Sequence, residues 1–408
     1  MLSVVLVPVI KDKAGKISSK DNYRPIALAS VFSKIIEVII LGRIEICLDT
    51  NPNQFGFKKK HGTDQCIYVL KEIIDLYRTL NGSVFVCFLD ASKAFDRVNH
   101  RTLFKSLSER GVPVYILRIL MYWYHNQTTC IKWGDLLSTK FKVTNGVRQG
   151  GILSPYLFNV YVDELSEQLK MCNVGCSMNG HLINHIMYAD DLVLISPSSA
   201  GLCQLLRECE KFGMSHDVKY NAKKSAVMIF RSATLKGCSI PKFKLKGVTL
   251  HVVATYKYLG NYISDDLSDD DDINRQRRTL YVQGNIILRK FSMCSLEVKL
   301  TLFRSYCSPM YGVQLWWNYK KSTLNRLHIA YHNIFKLFIG MSKYESTSLL
   351  CTLFDVQCCQ SVIRNMVYRF MCRLDSSVNC ILNDILTSSL RFTSRIRKHW
   401  NKLLYMNT

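Results

Sequence analysis

The sequence lacks any apolar run long enough to cross a bilayer. Its longest apolar stretches, such as residues 35–41, contain or adjoin the charged Lys34, Glu37 and Arg43. The opening residues 1–10 are apolar but have neither a basic start nor a small-residue cleavage site, which favours a buried strand over a signal peptide. We therefore expect an intracellular protein, in the nucleus, the cytoplasm or both, that does not bind membranes.

Acidic side chains are also scarce. The chain has 31 Asp and Glu against 54 Lys and Arg, a formal charge of +23. This imbalance excludes an ordinary neutral metabolic enzyme and favours a polyanionic partner. The excess is spread over the chain without an amphipathic anchor, so nucleic acid fits better than a membrane surface. For two basic runs, residues 58–60 and 391–398, phosphate contact and an ordinary solvated face both remain open.

No regular cysteine spacing is present. The 16 cysteines are scattered, as expected of reduced, mostly buried thiols and not of a secreted disulfide framework. Cys172, Cys176, His181 and His185 have spacings close to a small zinc knuckle. Residues 178–181, however, are a hairpin signal that leads into an apolar strand, so zinc is the less favoured interpretation.

Apolar periodicity predicts an α+β fold. A basic hairpin at residues 4–28 comes first, and the main elements follow: strands at 84–89, 182–187, 192–195 and 225–230, and helices at 31–48, 63–80, 100–110, 114–124, 154–169 and 201–212. The β-α-β-β-α-β order within this set predicts a sheet with helices on one face. An aspartate run at 265–272 predicts a boundary, after which the pattern is mainly helical.

Three aspartates are placed where strands end. Asp90 closes the buried strand 84–89, and Asp190 with Asp191 occupies the tight turn between the strands 182–187 and 192–195. These carboxylates can meet at one edge of the sheet and hold two Mg²⁺ ions about 3.5–4 Å apart, which would activate a 3′-hydroxyl and stabilise pyrophosphate. An Asp pair alone is more often just a β-turn, and only the joint occurrence of several such elements favours the metal site.

Seven segments carry a specific resemblance. They are FLDASKAFD at 88–96, GVRQGGILSPYLFN at 146–159, YADD at 188–191, NAKKS at 221–225, YLG at 258–260, YRPIAL at 23–28 and QFGF at 54–57. In order, the first five resemble motifs A to E of right-hand polymerases, and the last two resemble fingers motifs of LINE elements. The chain thus resembles the reverse transcriptases of LINE-type (non-LTR) retrotransposons, densely over residues 1–265. Segments 258–290 and 302–317 are most similar to the Rex/Babar and chicken-repeat lineages.

This resemblance implies a fold and an activity. The fold would be a right-hand polymerase, with fingers and palm at 1–265, a helical thumb at 266–340 and a basic helical region at 341–408. The activity would be RNA-directed DNA synthesis, with an RNA template, a DNA primer, deoxynucleoside triphosphates and two Mg²⁺ ions, or Mn²⁺ instead. We expect no endonuclease domain and no earliest fingers helices in this chain. A non-catalytic RNA-binding remnant is therefore the alternative.

The resemblance also assigns roles to single residues. Asp90 and Asp190 would bind both metals, Asp191 would be a weaker ligand, and the Ala91 carbonyl would complete one shell. The remaining roles are triphosphate binding by Arg24, selection against ribonucleotides by Phe95, a nucleotide pocket lined by Gln149 and Gly150, proton donation by Lys224 or less favourably Lys223, and primer binding by Tyr258, Leu259 and Gly260. Ordinary alternatives are a solvated hairpin charge for Arg24, an edge-strand charge for Lys224 and a core aromatic for Phe95.

Overall fold

The computed structural model describes residues 3–13, 15–232, 241–387 and 394–405. The strands are β1 Ser3–Ile10, β2 Tyr23–Leu28, β3 Val84–Asp90, β4 Thr128–Trp133, β5 Leu136–Leu137, β6 Phe141–Lys142, β7 Cys176–Met178, β8 His181–Ile183, β9 His185–Tyr188, β10 Asp191–Ser196, β11 Ala226–Phe230, β12 Lys244–Leu245, β13 Val248–Thr249, β14 His251–Val252, β15 Thr255–Tyr258 and β16 Asn261–Ser264. The helices are α1 Val31–Ile44, α2 Thr63–Thr79, α3 His100–Glu109, α4 Val114–Asn126, α5 Ser154–Met171, α6 Ser199–Ser215, α7 Asp270–Lys290, α8 Leu296–Leu302, α9 Lys321–Phe338, α10 Thr347–Leu353, α11 Cys359–Asp375, α12 Cys380–Thr387 and α13 Arg395–Tyr405.

The central sheet has the strand order β14-β11-β3-β10-β9, with β3 in the middle. Side chains of β3 alternate between two cores: Val86 and Phe88 pack with α2, whereas Cys87 and Leu89 pack with α5 and α6. The helices of the predicted β-α-β-β-α-β unit thus lie on one face, as predicted, and α2, which precedes that unit, covers the other face. Both faces are covered because β3 is apolar at every position before Asp90, so neither face can be left to solvent.

The predicted strand 182–187 is broken at Asn184. This residue is buried, and its side-chain amide donates to the carbonyls of Leu169 at 2.6 Å and Val174 at 3.0 Å. β8 consequently pairs with β7, and β9 pairs with β10. The predicted hairpin before it is confirmed, because Asn179 and Gly180 both have positive φ, as a two-residue turn of this kind requires.

The candidate zinc ligands do not converge. His181 pairs with Asp384 at 2.5 Å, Cys172 bonds the carbonyl one turn earlier in α5, and Cys176 and His185 are buried in the core. Within the described ranges, no group of three or more His, Cys, Asp or Glu side chains could hold a metal ion as it stands. The zinc interpretation was therefore wrong, and the cysteines of these ranges are free thiols as predicted.

A second sheet lies toward the N-terminus, with the order β2-β1-β4-β5 and with β6 on β4. β1 and β2 form the predicted antiparallel hairpin, which places Arg24 opposite Val9. β4 joins β1 in parallel, and this strand was not predicted. No helix in the described part of the chain is long and apolar enough to cross a membrane.

The helices after residue 265 share a core with the central sheet. A single cluster of buried side chains includes Phe88 of β3, Leu70 of α2, and Tyr331 and Phe335 of α9. The predicted boundary falls between the end of β16 and the start of α7. The parts of the chain before and after this boundary are thus packed against each other through apolar contacts.

Two aspartates of the run at this boundary, Asp269 and Asp272, are buried. Asp269 forms an ion pair with Lys71 of α2 at 2.6 Å, with the two side chains 1% and 3% exposed. The same carboxylate accepts hydrogen bonds from the backbone N–H groups of Trp317 and Asn318 at 2.8 and 2.9 Å. Burial raises the pKa of Asp269, and Lys71 opposes that rise. This pair ties the start of α7 to α2.

Breaking this pair should destabilise the fold. Lys71→Met leaves Asp269 buried without its cation, which we expect to lower the unfolding free energy by about 3–5 kcal/mol. Urea denaturation measures the change. As a control, Lys59→Met removes an exposed pair with Glu45 and should not move the midpoint. Equal midpoints for Lys71→Met and the parent would contradict the assigned role.

Each of the two basic runs contains one side chain that is held by the protein itself. Arg397 is 7% exposed and donates to the Tyr68 hydroxyl at 3.0 Å, and Lys58 donates to two backbone carbonyls. Lys59 pairs with Glu45. Arg391 lies outside the described residues. Neither run is therefore a plain solvated face, and Arg397 and Lys58 already have protein partners.

Candidate active site

Three carboxylates meet at one edge of the central sheet. Asp90, the last residue of β3, lies directly opposite Asp191, the first residue of β10. Asp190 is the second residue of the two-residue turn between β9 and β10 and directly precedes Asp191. The antiparallel pairing of β3 with β10 is what brings residues that are a hundred positions apart in sequence to one place.

The three carboxylates lie close enough to repel one another. Lost hydration raises the pKa of all three carboxyl groups. Repulsion between the carboxylates adds to the rise for Asp190 and Asp191, and the pKa of Asp191 reaches about 6. None of them forms an ion pair with another described residue. Such an oxygen-rich anionic group suits a divalent cation. The carboxylates do not form a closed three-ligand group by themselves, and Mg²⁺ commonly binds one or two carboxylates together with substrate phosphates.

Main-chain contacts fix the backbone around Ala91. Asn221 N–H donates to the Asp90 carbonyl at 2.8 Å, and Ser92 N–H donates to the Lys219 carbonyl at 2.7 Å. Ala91 lies between these two bonds, in an isolated bridge with Tyr220. The segment that precedes β11 thus holds the end of β3 in place.

Two lysines place positive charge near Asp90. The charges of Lys224 and Lys11 oppose the rise in the pKa of Asp90. Of the two candidate lysines at 223 and 224, only Lys224 has this effect. Lys11, at the end of the first hairpin strand, was missed, because nothing in its local sequence distinguishes it from other surface lysines. Arg24 is exposed on β2, and its charge opposes the rise in the pKa of Asp190.

Phe95 is a half-buried ring in the turn after β3. It stacks on Phe158 of α5 with ring centroids 4.4 Å apart and planes 11° apart. Phe57 meets its edge at 6.1 Å. The ring is therefore packed against α5 and remains partly exposed.

The loop before α5 connects this turn to the N-terminal sheet. The Gln149 side-chain amide donates to the Asp96 carboxylate at 2.9 Å. The backbone carbonyl of Gln149 accepts from the Ala27 N–H at 2.7 Å. Gly150 has φ +113°, and a Cβ there would lie 3.0 Å from the Ala27 carbonyl oxygen. The side-chain amide of Gln149 therefore already has a protein partner, Asp96.

A buried ion pair supports the same loop. Glu37 of α1 accepts from the N–H groups of Ile152 and Leu153 at 2.5 and 3.3 Å and lies 3.4 Å from Arg148. The Arg148 guanidinium lies 4.5 Å from the ring centroid of Trp123. Both residues were missed. No local pattern marks Glu37, since its partners are about 115 positions away.

The β15–β16 hairpin lies beside the carboxylates. Leu259 and Gly260 form its turn with positive φ, and Tyr311 donates to the Leu259 carbonyl at 2.7 Å. Tyr258 is buried, with its hydroxyl 3.1 Å from the Cys66 thiol. Leu259 and Gly260 are therefore partly exposed, and the buried Tyr258 ring anchors their turn from inside.

The segment that contains QFGF packs against the aspartate turn. Phe55 N–H donates to the Met187 carbonyl at 2.8 Å, so the segment extends the edge of β9. A Cβ at Gly56 would lie 2.2 Å from the Ala189 nitrogen, which leaves no room for any side chain. The sequence marked this motif by resemblance alone and gave its residues no role.

The comparisons with known proteins agree with this geometry. The family described as Reverse transcriptase (RNA-dependent DNA polymerase) matches residues 10–263, more than half of the chain. The chain therefore belongs to the reverse transcriptase family. This match, with the mixed helices and sheets, confirms the predicted α+β polymerase fold.

Similar proteins include polymerases of mobile elements. The RNA-directed DNA polymerase from mobile element jockey of Drosophila melanogaster is 25% identical over 411 residues, covering 95% of this chain and 44% of that protein. The Pol polyprotein from type-1 retrotransposable element R2 of Popillia japonica is 28% identical over 313 residues, covering 74% and 43%. The chain thus spans less than half the length of these relatives. Apo telomerase from Candida tropicalis has a TM-score of 0.47 and 12% identity, covering 93% of this chain and 71% of that chain.

Proposed function

We propose that this chain is an RNA-directed DNA polymerase of a non-LTR, LINE-type retrotransposon. The observation that carries the proposal is the pairing of Asp90 with Asp191 beside Asp190, within a chain that matches the reverse transcriptase family. The reaction is attack of a primer 3′-hydroxyl on the α-phosphorus of a deoxynucleoside triphosphate, with pyrophosphate leaving. RNA is the template and a DNA 3′-end is the primer.

Asp90 and Asp190 would hold two divalent ions, with Asp191 as a weaker ligand and the Ala91 carbonyl in one shell. When bound, two Mg²⁺ ions, or Mn²⁺ in their place, lower the pKa of the attacking hydroxyl and neutralise charge on the leaving group. The three carboxylates have raised pKa values and no ion-pair partner among the described residues, so binding a cation also relieves their repulsion.

The surrounding groups have separate tasks. Arg24, exposed and charged, binds the triphosphate, and Lys224 donates a proton to pyrophosphate. Gln149 and Gly150 shape the nucleotide pocket. Leu259 and Gly260 hold the primer end through the backbone of their turn, and Tyr258 anchors that turn.

The finer assignment is to the Rex/Babar and chicken-repeat lineages, which segments 258–290 and 302–317 resemble. Because its template is RNA, the protein would act inside the cell, in the nucleus or the cytoplasm. The alternative is an RNA-binding remnant without polymerase activity.

Primer extension separates the two functions. The chain is incubated with a DNA primer annealed to RNA, the four deoxynucleoside triphosphates and Mg²⁺. The proposal requires template-dependent extension that stops when Mg²⁺ is chelated. Tight binding of the primer–template with no extension in Mg²⁺ or Mn²⁺ would favour the remnant.

Replacing Phe95 should change sugar selection. The Phe95 ring is fixed by stacking on Phe158. In that position it would clash with the 2′-hydroxyl of an incoming ribonucleotide but not with the 2′-hydrogen of a deoxynucleotide. Phe95→Val should therefore raise ribonucleotide relative to deoxynucleotide incorporation by roughly tenfold to a hundredfold, measured as a ratio of kcat/KM values. Phe104→Val, which truncates another partly buried ring of the same core, should leave the ratio unchanged. If Phe95 is only a core aromatic, its variant loses about 3–5 kcal/mol of stability with no change in the ratio.

Primer–template binding should depend steeply on salt. Because phosphate neutralisation releases counterions, we expect affinity to fall at least about a hundredfold between roughly 50 and 200 mM salt. Fluorescence anisotropy with two unrelated template sequences measures this, and the two should behave alike. An affinity that does not change over this range would contradict an electrostatic origin of binding in the +23 charge.

A further inference from the structure

The turn that carries Asp190 has a backbone that its sequence does not favour. Ala189, the first of the two turn residues, has φ +57°. Left-handed conformations suit the turns of two-residue hairpins, but for a residue with a Cβ they cost about 1 kcal/mol. Asp190 and Asp191 follow directly, so the conformation of Ala189 sets the direction of both carboxylates.

One side chain bonds both backbone polar groups of Ala189. The Ala189 N–H donates to Gln54 Oε1 at 2.9 Å, and Gln54 Nε2 donates to the Ala189 carbonyl at 3.3 Å. The same Oε1 accepts from Gly56 N–H at 2.8 Å. Gln54 is 1% exposed, so water does not compete for these bonds. Donor and acceptor at this reach are both needed, and only glutamine supplies them.

Gln54 is itself fixed by its neighbours on both sides. Met187 N–H donates to the Asn53 carbonyl at 2.9 Å, and Phe55 N–H donates to the Met187 carbonyl at 2.8 Å. Asn159 of α5 donates to the Gly56 carbonyl at 2.8 Å. The backbone on both sides of Gln54 is therefore held by the edge of β9 and by α5, so that its side chain can impose a geometry on the turn.

We propose that Gln54 is a positioning residue for nucleotide transfer. Its carboxamide holds Ala189 in the left-handed conformation and thereby sets Asp190 and Asp191 where they share divalent cations with Asp90. Gln54 does not reach solvent and acts only through the turn. This inference rests on the proposed polymerase function, because it concerns the alignment of the same carboxylates.

Gln54→Met tests the proposal, since methionine keeps the length and packing but loses all three hydrogen bonds. We expect kcat for single-nucleotide addition to fall on the order of a hundredfold, because a small misplacement of aligned groups has effects of this size. The Mg²⁺ concentration for half-maximal activity should rise several-fold, while the KM for the nucleotide and the affinity for primer–template stay within about twofold. Gln54→Glu is the second variant, to be used if the methionine variant does not fold. Glutamate has the same shape as glutamine without the N–H donor, and we expect the same loss of kcat.

A second readout does not require activity. Amide hydrogen exchange of the peptide containing residues 188–191 should be at least about tenfold faster in Gln54→Met, while the body of β9 keeps its protection. Asn53→Ala is the matched control, because it removes a buried hydrogen bond to the His185 carbonyl, at the other end of β9. It should lower stability without changing kcat or the Mg²⁺ requirement.

The outcomes are distinct. Parental kcat and Mg²⁺ requirement in Gln54→Met, or an equal rise of the Mg²⁺ requirement in Asn53→Ala, would overturn the positioning role. If the parent extends no primer, the proposed function fails, and hydrogen exchange alone then tests the role of Gln54. Faster exchange at the turn in Gln54→Met would support the fixing of Ala189 by Gln54, and unchanged exchange would overturn it.

Discussion

Asp190→Asn should abolish nucleotide addition without weakening the fold. The substitution removes a ligand for both proposed metals, and we expect kcat to fall about a thousandfold or more, equivalent to about 4 kcal/mol of activation free energy. It also removes one charge from three crowded carboxylates, so the unfolding free energy should not decrease. Asp90→Asn should behave in the same way, and Asp191→Asn should lose less activity.

Single-turnover extension, primer–template affinity and urea denaturation together measure this result. Asp375→Asn changes an exposed aspartate at the end of α11 and is the control for the general loss of a charge. Parental kcat in Asp190→Asn would refute its assignment as a ligand. A loss of activity that merely parallels a loss of stability would indicate a structural role instead.

Gly56→Ala should lower both activity and stability. The added Cβ would lie 2.2 Å from the Ala189 nitrogen and 2.9 Å from the Tyr188 carbonyl carbon, both of them backbone atoms. The turn must therefore shift, which we expect to lower kcat on the order of a hundredfold and stability by about 1–3 kcal/mol. Extension kinetics and urea denaturation measure the two changes.

Gly42→Ala is the matched control for this substitution. Its Cβ would meet nothing within 4 Å, and the residue lies in α1, where alanine favours the helix by about 0.5–1 kcal/mol. It should therefore keep full activity and gain stability. Normal kcat in Gly56→Ala would show that the turn tolerates displacement, and it would contradict the need for a fixed turn at Asp190.

The parts of the site that could be predicted are those encoded locally. The apolar run that ends at Asp90 and the turn signal at Asp190 each fall within a few consecutive residues, and the pairing of β3 with β10 follows from their order in a palm-like pattern. The broken strand at Asn184 could not be predicted. Its amide bonds lie outside the strand, and an apolar run gives no sign of them.

The supporting residues could not be predicted because their partners are far away in sequence. Gln54 bonds Ala189 over 135 positions, and Glu37 bonds Ile152 over 115. Neither side chain differs locally from an ordinary polar residue in a loop or helix. The position of α2 on the second face of the central sheet was not predicted, for a related reason. The helices that cover α2 lie beyond residue 265, far from it in sequence.

The central claim is that Asp90 and Asp190 hold divalent ions at the end of β3, and locating the ions tests it most directly. A complex of the chain with primer–template, a non-hydrolysable deoxynucleoside triphosphate and Mn²⁺ would be crystallised for anomalous diffraction. We expect anomalous peaks within about 2.0–2.4 Å of carboxylate oxygens of Asp90 and Asp190, with triphosphate oxygens completing the coordination. A well-ordered nucleotide in the pocket with no anomalous peak at either carboxylate would contradict the claim.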